Sequence, residues 1–400
     1  MKFSSKIQRC ELSPVRKFYP YEKAAEEKGL TIHHLNIGQP DIETPREFFD
    51  AVAHFSDSVL AYAPAPGENC FLEATQRYYE SLGFHISCDD ILATYGGSEA
   101  LQIVLSCILE EGDEVLVPEP FYPNYTTFVN ITGGRIAPIP TSPEQGYRFA
   151  TREQIEPRIN EHTRAILMTN PGNPTGVVLT REEMRLMADI AKEHNLFLIS
   201  DEVYREIVYT GAKISSMLEM EDAAENVVVI DSVSKRFSAT GARVGALISR
   251  NRELMDQAMK LCQGRLCTAT LDQVGAAAMY DRLKPEYYTS VREEYRRRKD
   301  AVVDALSKIP GVEFRSPEGA FYLMVTLPVD DAEKLQYFLL QEFQDNGETV
   351  MVTPAEGFYT DPALGRNKVR IAYVTNPEDV TRAVELLGLG IQAYNEKQGR

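Results

Sequence analysis

Lys235 stands directly behind a run of apolar β-branched residues, Val227 to Ile230, in a stretch of hydroxyls and glycines that includes Ser232, Ser234, Gly241, Arg243 and Gly245. Burial and a neighbouring cation both disfavour an ammonium ion, so a lysine fixed at the end of a buried strand is pushed toward its neutral, nucleophilic form. A lysine after a strand is by itself an ordinary loop charge. Here a hydroxyl lies three residues before it and an arginine eight after it, a spacing that argues for a built site.

Three more segments end apolar runs in small and polar residues, where open α/β sheets place their ligands. Ser200, Asp201, Glu202 and Tyr204 close the run at 197–200. Asp201 reads either as a helix cap or as a carboxylate offered to a cofactor, and Glu202 is expected to point away. Residues 170–176 set Asn173 between Pro171 and Pro174, which rigidifies the loop and fixes one amide. Tyr95, Gly96, Gly97 and Ser98 open a helical pattern, and small residues at a helix N-terminus expose backbone N–H groups and a favourable dipole to a phosphate.

In this order the four segments resemble the lysine-attachment, pyridine-binding, Asn-Pro and phosphate-binding segments of pyridoxal-phosphate enzymes, the class I and II aminotransferase family of fold type I. The likeness covers about residues 13–387 and is nearest to the aspartate-aminotransferase branch. It implies pyridoxal 5'-phosphate carried as a Schiff base on Lys235, with catalytic roles for Lys235, Asp201 and Tyr204. Asp201 would keep the pyridine nitrogen protonated. Asn173 and Tyr204 would hold the phenolic oxygen, Tyr122 would stack on the ring, and Gly97, Ser98, Ser232 and Arg243 would anchor the phosphate. The likeness places Tyr62 in the phosphate site of a neighbouring subunit. It assigns substrate binding to Gly38, Asn173 and Arg370, the last gripping the α-carboxylate in a bidentate geometry that lysine lacks.

The activity so implied moves an amino group from an L-amino acid, aspartate or a similar acid, to a 2-oxo acid such as 2-oxoglutarate. Alternatives on the same scaffold are a carbon-sulfur β-lyase or an aminotransferase preferring aromatic substrates or alanine. One branch of the family binds the distal carboxylate with a lysine just after the Gly-Gly turn. This sequence has Ser98 there, which puts aspartate specificity in question and makes Arg265 a candidate replacement, with an interface arginine as the other reading. Relatives also often carry an aromatic residue where Ala242 precedes Arg243.

Positioning these groups falls to a repeated strand-turn-helix rhythm. Strands are expected at 91–94, 114–117, 135–139, 165–169, 197–200, 227–231 and 244–248, several too apolar to alternate, as suits a largely parallel sheet buried on both faces. Helices are expected at 98–109, 122–132 and 180–194, the last opened by a capping box of Thr180 and Glu183. After about residue 283 the pattern becomes α+β: a long helix from Pro285 to Leu306, a strand at 320–325, a helix at 331–346, strands at 350–353 and 368–373, and a last helix from Pro377. The expected fold class is α/β, a large domain with a mostly parallel sheet plus a smaller α+β domain. The expected division is an N-terminal arm and part of the small domain at 1–44, a large cofactor-binding domain at 45–290 and a small C-terminal domain at 291–400. Within the arm, 20–28 is amphipathic and should pack on the small domain or a partner.

Composition narrows the partners. The 400 residues are 44% apolar and include 59 acidic against 42 basic side chains, for a formal charge of -17. Such a surface argues against nucleic acid and anionic membranes as partners, so anionic ligands must be captured by local basic groups. Six cysteines without a C-x-x-C, no H-E-x-x-H, no secretory leader and no long apolar run fit a cytoplasmic protein that binds no metal. The likeness adds a homodimer with shared active sites.

Overall fold

The computed structural model describes residues 1–211 and 214–400. Its largest sheet has seven strands in the order Ile91–Thr94, Gly245–Ile248, Val227–Ser232, Phe197–Asp201, Thr163–Thr169, Glu114–Glu119 and Arg135–Pro140. Gly245–Ile248 runs antiparallel to both of its neighbours, and the remaining pairings are parallel. The central strands are apolar on both faces because both faces are covered. Val228, Val229 and Ile230 are wholly buried, and each such side chain contributes roughly 1.5–3 kcal/mol relative to exposure.

The helix Arg181–Glu193 shows how locally the covering layer is specified. Thr180 and Glu183 form the expected capping box, and Met184, Met187, Ala188, Ile190 and Ala191 line its buried face. Four helices absent from the sequence reading, Arg46–Ala53, Asn69–Ser81, Arg252–Arg265 and Thr270–Arg282, complete the layers.

A second, four-stranded antiparallel sheet joins Thr353–Pro354, Lys368–Ala372, Tyr322–Thr326 and Glu313–Phe314. The strand expected at 350–353 is two strands: Glu348–Met351 pairs in parallel with Thr31–His34, while Thr353–Pro354 joins the larger of these sheets. The helix expected at 331–346 is shorter, Ala332–Gln341, with the Asp331 side chain capping its start. Pro285–Leu306 is one unbroken helix. Tyr287 and Tyr288 in its first turns pack near Phe237 of the seven-stranded unit, and Tyr295 stacks on Phe321 of the other. Its basic face is largely ion-paired with its own acids, as in Arg296 with Glu293 and Asp300.

The N-terminal arm touches both units. Lys6 Nζ donates to the Thr132 carbonyl at 3.0 Å and Arg9 pairs with Glu111 at 3.1 Å, fixing the first ten residues to the seven-stranded unit. Lys17 pairs with Glu333, and Phe18 packs edge-on against Tyr337, fixing the following stretch to the other unit. No helix among the described residues is long and apolar enough to cross a membrane.

Candidate active site

The carboxyl ends of Phe197–Asp201 and Val227–Ser232 open on a cleft of about 410 Å³ between the two sheets. Gly38, Gly97, Ser98, Tyr122, Asn173, Asp201, Tyr204, Ser232, Lys235, Arg243 and Arg370 all line it. Residues separated by up to 332 positions in the chain are therefore collected in one place. Tyr62 and Arg265 do not line this cleft. Tyr62 is 79% exposed. The Arg265 guanidinium pairs with Glu99 at 2.7 Å and donates to the carbonyls of Ala93 and Ala65.

Lys235 sits one turn past the strand, in the short helix Val233–Arg236 that the Ser232 side chain caps. Its Nζ donates to the Gly38 carbonyl at 2.7 Å. Burial, then the charges of Arg370 and Arg243, pull its pKa down to about 8, with Asp201 opposing. Close to neutrality this side chain exists in both protonation states, as a nucleophile and proton carrier requires.

Asp201 behaves in the opposite sense. It is buried, and burial pushes its pKa up to about 6 although a hydrogen bond from Tyr125 Oη at 2.6 Å works against the rise. No basic side chain among the described residues forms an ion pair with it. A carboxylate enclosed at a cleft without a cation is matched to a ligand that brings an N–H⁺.

At the other end, the helix Gly96–Ile108 starts in the cleft without a side-chain cap on its first turn. Arg243 lies over that start, held by the carbonyls of Thr240 at 3.0 Å and Tyr95 at 3.2 Å. A Cβ on Gly96 would come within 2.7 Å of the guanidinium, and its φ of +74° also favours glycine. Free helix N–H groups, the Ser98 and Ser232 hydroxyls and one arginine make an anion cradle that suits a phosphate dianion.

Arg370 is buried between the Tyr322 and Phe358 rings, 4.5 and 5.2 Å from their centroids. It donates to the Asn36 carbonyl at 2.8 Å and the Asn173 amide oxygen at 3.3 Å, and its Nε has no partner. Asn173 in turn donates to Tyr204 Oη at 3.4 Å, and Tyr204 meets Tyr322 hydroxyl to hydroxyl at 3.1 Å. Glu202 points away, as expected, into an ion pair with Arg205. Sequence reasoning missed Tyr125, which orients Asp201, and Tyr322, against whose hydroxyl a Cβ on Gly38 would collide. It also missed residues 13–16 of the arm, of which Ser13, Val15 and Arg16 reach the cleft.

Residues 31–387 match the family described as Aminotransferase class I and II. An aspartate aminotransferase of Bacillus sp. (strain YM-2) is 29% identical over 369 residues, covering 91% of this chain and 92% of its own. A probable aspartate/prephenate aminotransferase of Aquifex aeolicus is 29% identical over 386 residues, covering 95% and 96%. Among solved structures, a single mutant of Thermus thermophilus aspartate aminotransferase superposes with a TM-score of 0.88 at 26% identity, covering 98% of this chain and 100% of its own.

Proposed function

This chain belongs to the aminotransferase class I and II family, and from that premise we propose that it transfers the amino group of L-aspartate or a similar acid to a 2-oxo acid such as 2-oxoglutarate, using pyridoxal 5'-phosphate. The observation that carries the cofactor is the pairing of an enclosed Asp201 lacking a cation with an anion cradle at the far end of the same cleft. Those two features match the two ends of a phosphorylated pyridine. When bound, the cofactor supplies an electron-accepting ring that stabilises negative charge at the substrate Cα.

The chain's own residues divide the remaining work. Lys235 would supply the attachment amine and the base that takes and returns the substrate Cα proton; its pKa of about 8 suits both directions. Asp201, oriented by Tyr125, would keep the ring nitrogen protonated. Asn173 and Tyr204 would hold the phenolic oxygen, Tyr122 would cover the ring, and Gly97, Ser98, Ser232 and Arg243 would hold the phosphate. Arg370 grips the α-carboxylate, and its unpartnered Nε leaves donor capacity for that purpose. Gly38 lets the arm approach closely enough to cover the substrate.

We place residues 45–290 in the cofactor-holding domain and 291–400, with part of the arm, in a small domain. An exposed set of apolar side chains, including Phe49, Val59, Leu60, Tyr62 and Leu266, supports a homodimer in which Tyr62 serves the neighbouring site. The test is the visible spectrum of purified protein with pyridoxal phosphate. A yellow chromophore that bleaches with aspartate and returns with 2-oxoglutarate is the expected result. Failure to take up the cofactor, or release of pyruvate and ammonia from a β-substituted amino acid in place of amino exchange, overturns the assignment.

A further inference from the structure

The cleft holds one more cation than this chemistry uses. Among the described residues its basic lining consists of Lys235, Arg243, Arg370 and Arg16. The first three are held by carbonyl or amide acceptors. Arg16 is exposed, and no acceptor among the described residues holds its guanidinium.

Its position is fixed from both sides. Upstream, Cys10 and Arg9 rest against the helix Asn124–Thr132 and Glu111. Pro14 sits so close to Gly357 that a Cβ there would come within 2.8 Å of its ring, and the next residue, Phe358, is the one whose ring packs on Arg370. Downstream, Lys17 is engaged by Glu333 and Phe18 is buried. The arm is thus a strap across the cleft, anchored at each end, and it presents Arg16 to the same cleft that Arg370 lines.

Resting on the transamination reading above, we propose that Arg16 receives the distal acidic group of a dicarboxylic amino acid whose α-carboxylate lies on Arg370. Arg265 is the other basic candidate, but Glu99 already neutralises it and it stands outside the cleft. A protein of formal charge -17 repels a dianionic ligand at long range. An unpaired arginine at the cleft mouth reverses that locally, and a guanidinium suits a carboxylate in planar, bidentate contact.

The test uses the holoenzyme, with succinate and propionate as probes followed by calorimetry. Arg16→Gln should weaken succinate at least tenfold and propionate less than twofold, with Arg16→Lys regaining part of the loss. Turnover of aspartate should suffer through KM, with kcat and the reaction of alanine nearly unchanged. Equal loss for both probes would make Arg16 a strap anchor only, and no loss for either would remove it from the site; both overturn the proposal. If the wild type already fails to prefer succinate over propionate, or no amino acid bleaches its chromophore, the underlying substrate reading falls, and the role of Arg16 falls with it.

Discussion

Asp201 ends one strand and Asp231 lies one residue before the end of its parallel neighbour, with Asp201 in register with Ile230, and both are buried. Their surroundings are opposite. Asp231 meets Arg205 at 2.9 Å and Arg236 at 2.8 Å and accepts from Tyr79 Oη at 2.8 Å; although burial pushes its pKa up, the two arginines win and hold it below the usual carboxylate value. Asp201 has only Tyr125 and a backbone N–H, and burial wins. The same division splits two consecutive residues: Arg236 turns back into the cluster, and Lys235 turns forward into the cleft. Buried charges that cancel within the chain hold the fold, whereas buried charges left uncancelled mark where a ligand must supply the opposite sign.

The sharpest way to break this comparison is Lys235→Met. Turnover should fall about 10⁴-fold or more, equivalent to about 5.5 kcal/mol in the barrier, and the chromophore should vanish. The cofactor-free variant should nevertheless be more stable than wild type at pH 7, on the order of 1–3 kcal/mol. The sign follows from a folded pKa near 8 below the ordinary lysine value: the fold disfavours the proton, so the cost is complete below pH 8 and disappears toward pH 10.5. Urea unfolding of the two apoproteins across that range measures it. A destabilised variant would mean that Lys235 is compensated after all.

Arg236→Met, one residue away, should do the reverse. It leaves Asp231 with one of its two arginines and removes the donor to Tyr280 Oη at 2.7 Å, for a loss of about 3–5 kcal/mol in unfolding free energy. Catalysis should suffer only as far as the turn carrying Ser232 and Lys235 loosens. A loss below 1 kcal/mol would show that the cluster is not a structural unit.

This contrast also explains which features could be read from the sequence. Asp201, Lys235, Asn173 and the Gly96–Gly97 turn each end or follow an apolar run, so local pattern places them at the sheet's ligand edge. Tyr125, Tyr322 and Arg16 gain their roles from neighbours brought by tertiary packing, such as Asp201 across 76 positions, and nothing in their own segments distinguishes them. The cluster around Asp231 was hidden for the same reason, since Tyr79 lies 152 residues away. The four unread helices fail differently. Thr270–Arg282 buries Gly275, Ala276, Ala277 and Ala278 beside Gln273 and Met279, so it shows no single apolar stripe, and small residues packed on nearly every side carry little periodic signal.

The smallest effect, and the most discriminating, belongs to Asp201→Asn. The amide keeps an acceptor for Tyr125 but cannot carry the charge that a protonated ring nitrogen needs, so turnover should drop about 10²-fold, within the range typical of a lost proton-holding group. Stability should move the other way. The folded pKa of about 6 lies above the unfolded carboxylate value, so the wild-type apoprotein binds this proton more tightly when folded. Its stability from this group is complete below about pH 4 and is lost as pH rises through 6. The Asn variant lacks that loss. Its advantage over wild type should therefore be near zero at pH 4, grow to the order of 1–3 kcal/mol by pH 7, and shrink again once pyridoxal phosphate is added to both proteins, because the ligand then provides wild type with the missing positive charge. Asp231→Asn, with its depressed pKa, should instead be less stable than wild type by an amount that stays nearly constant across pH 4–7 and shrinks only as pH falls below about 4, with no such response to cofactor. A common pH trend for the two aspartates would erase the distinction between cancelled and uncancelled charge.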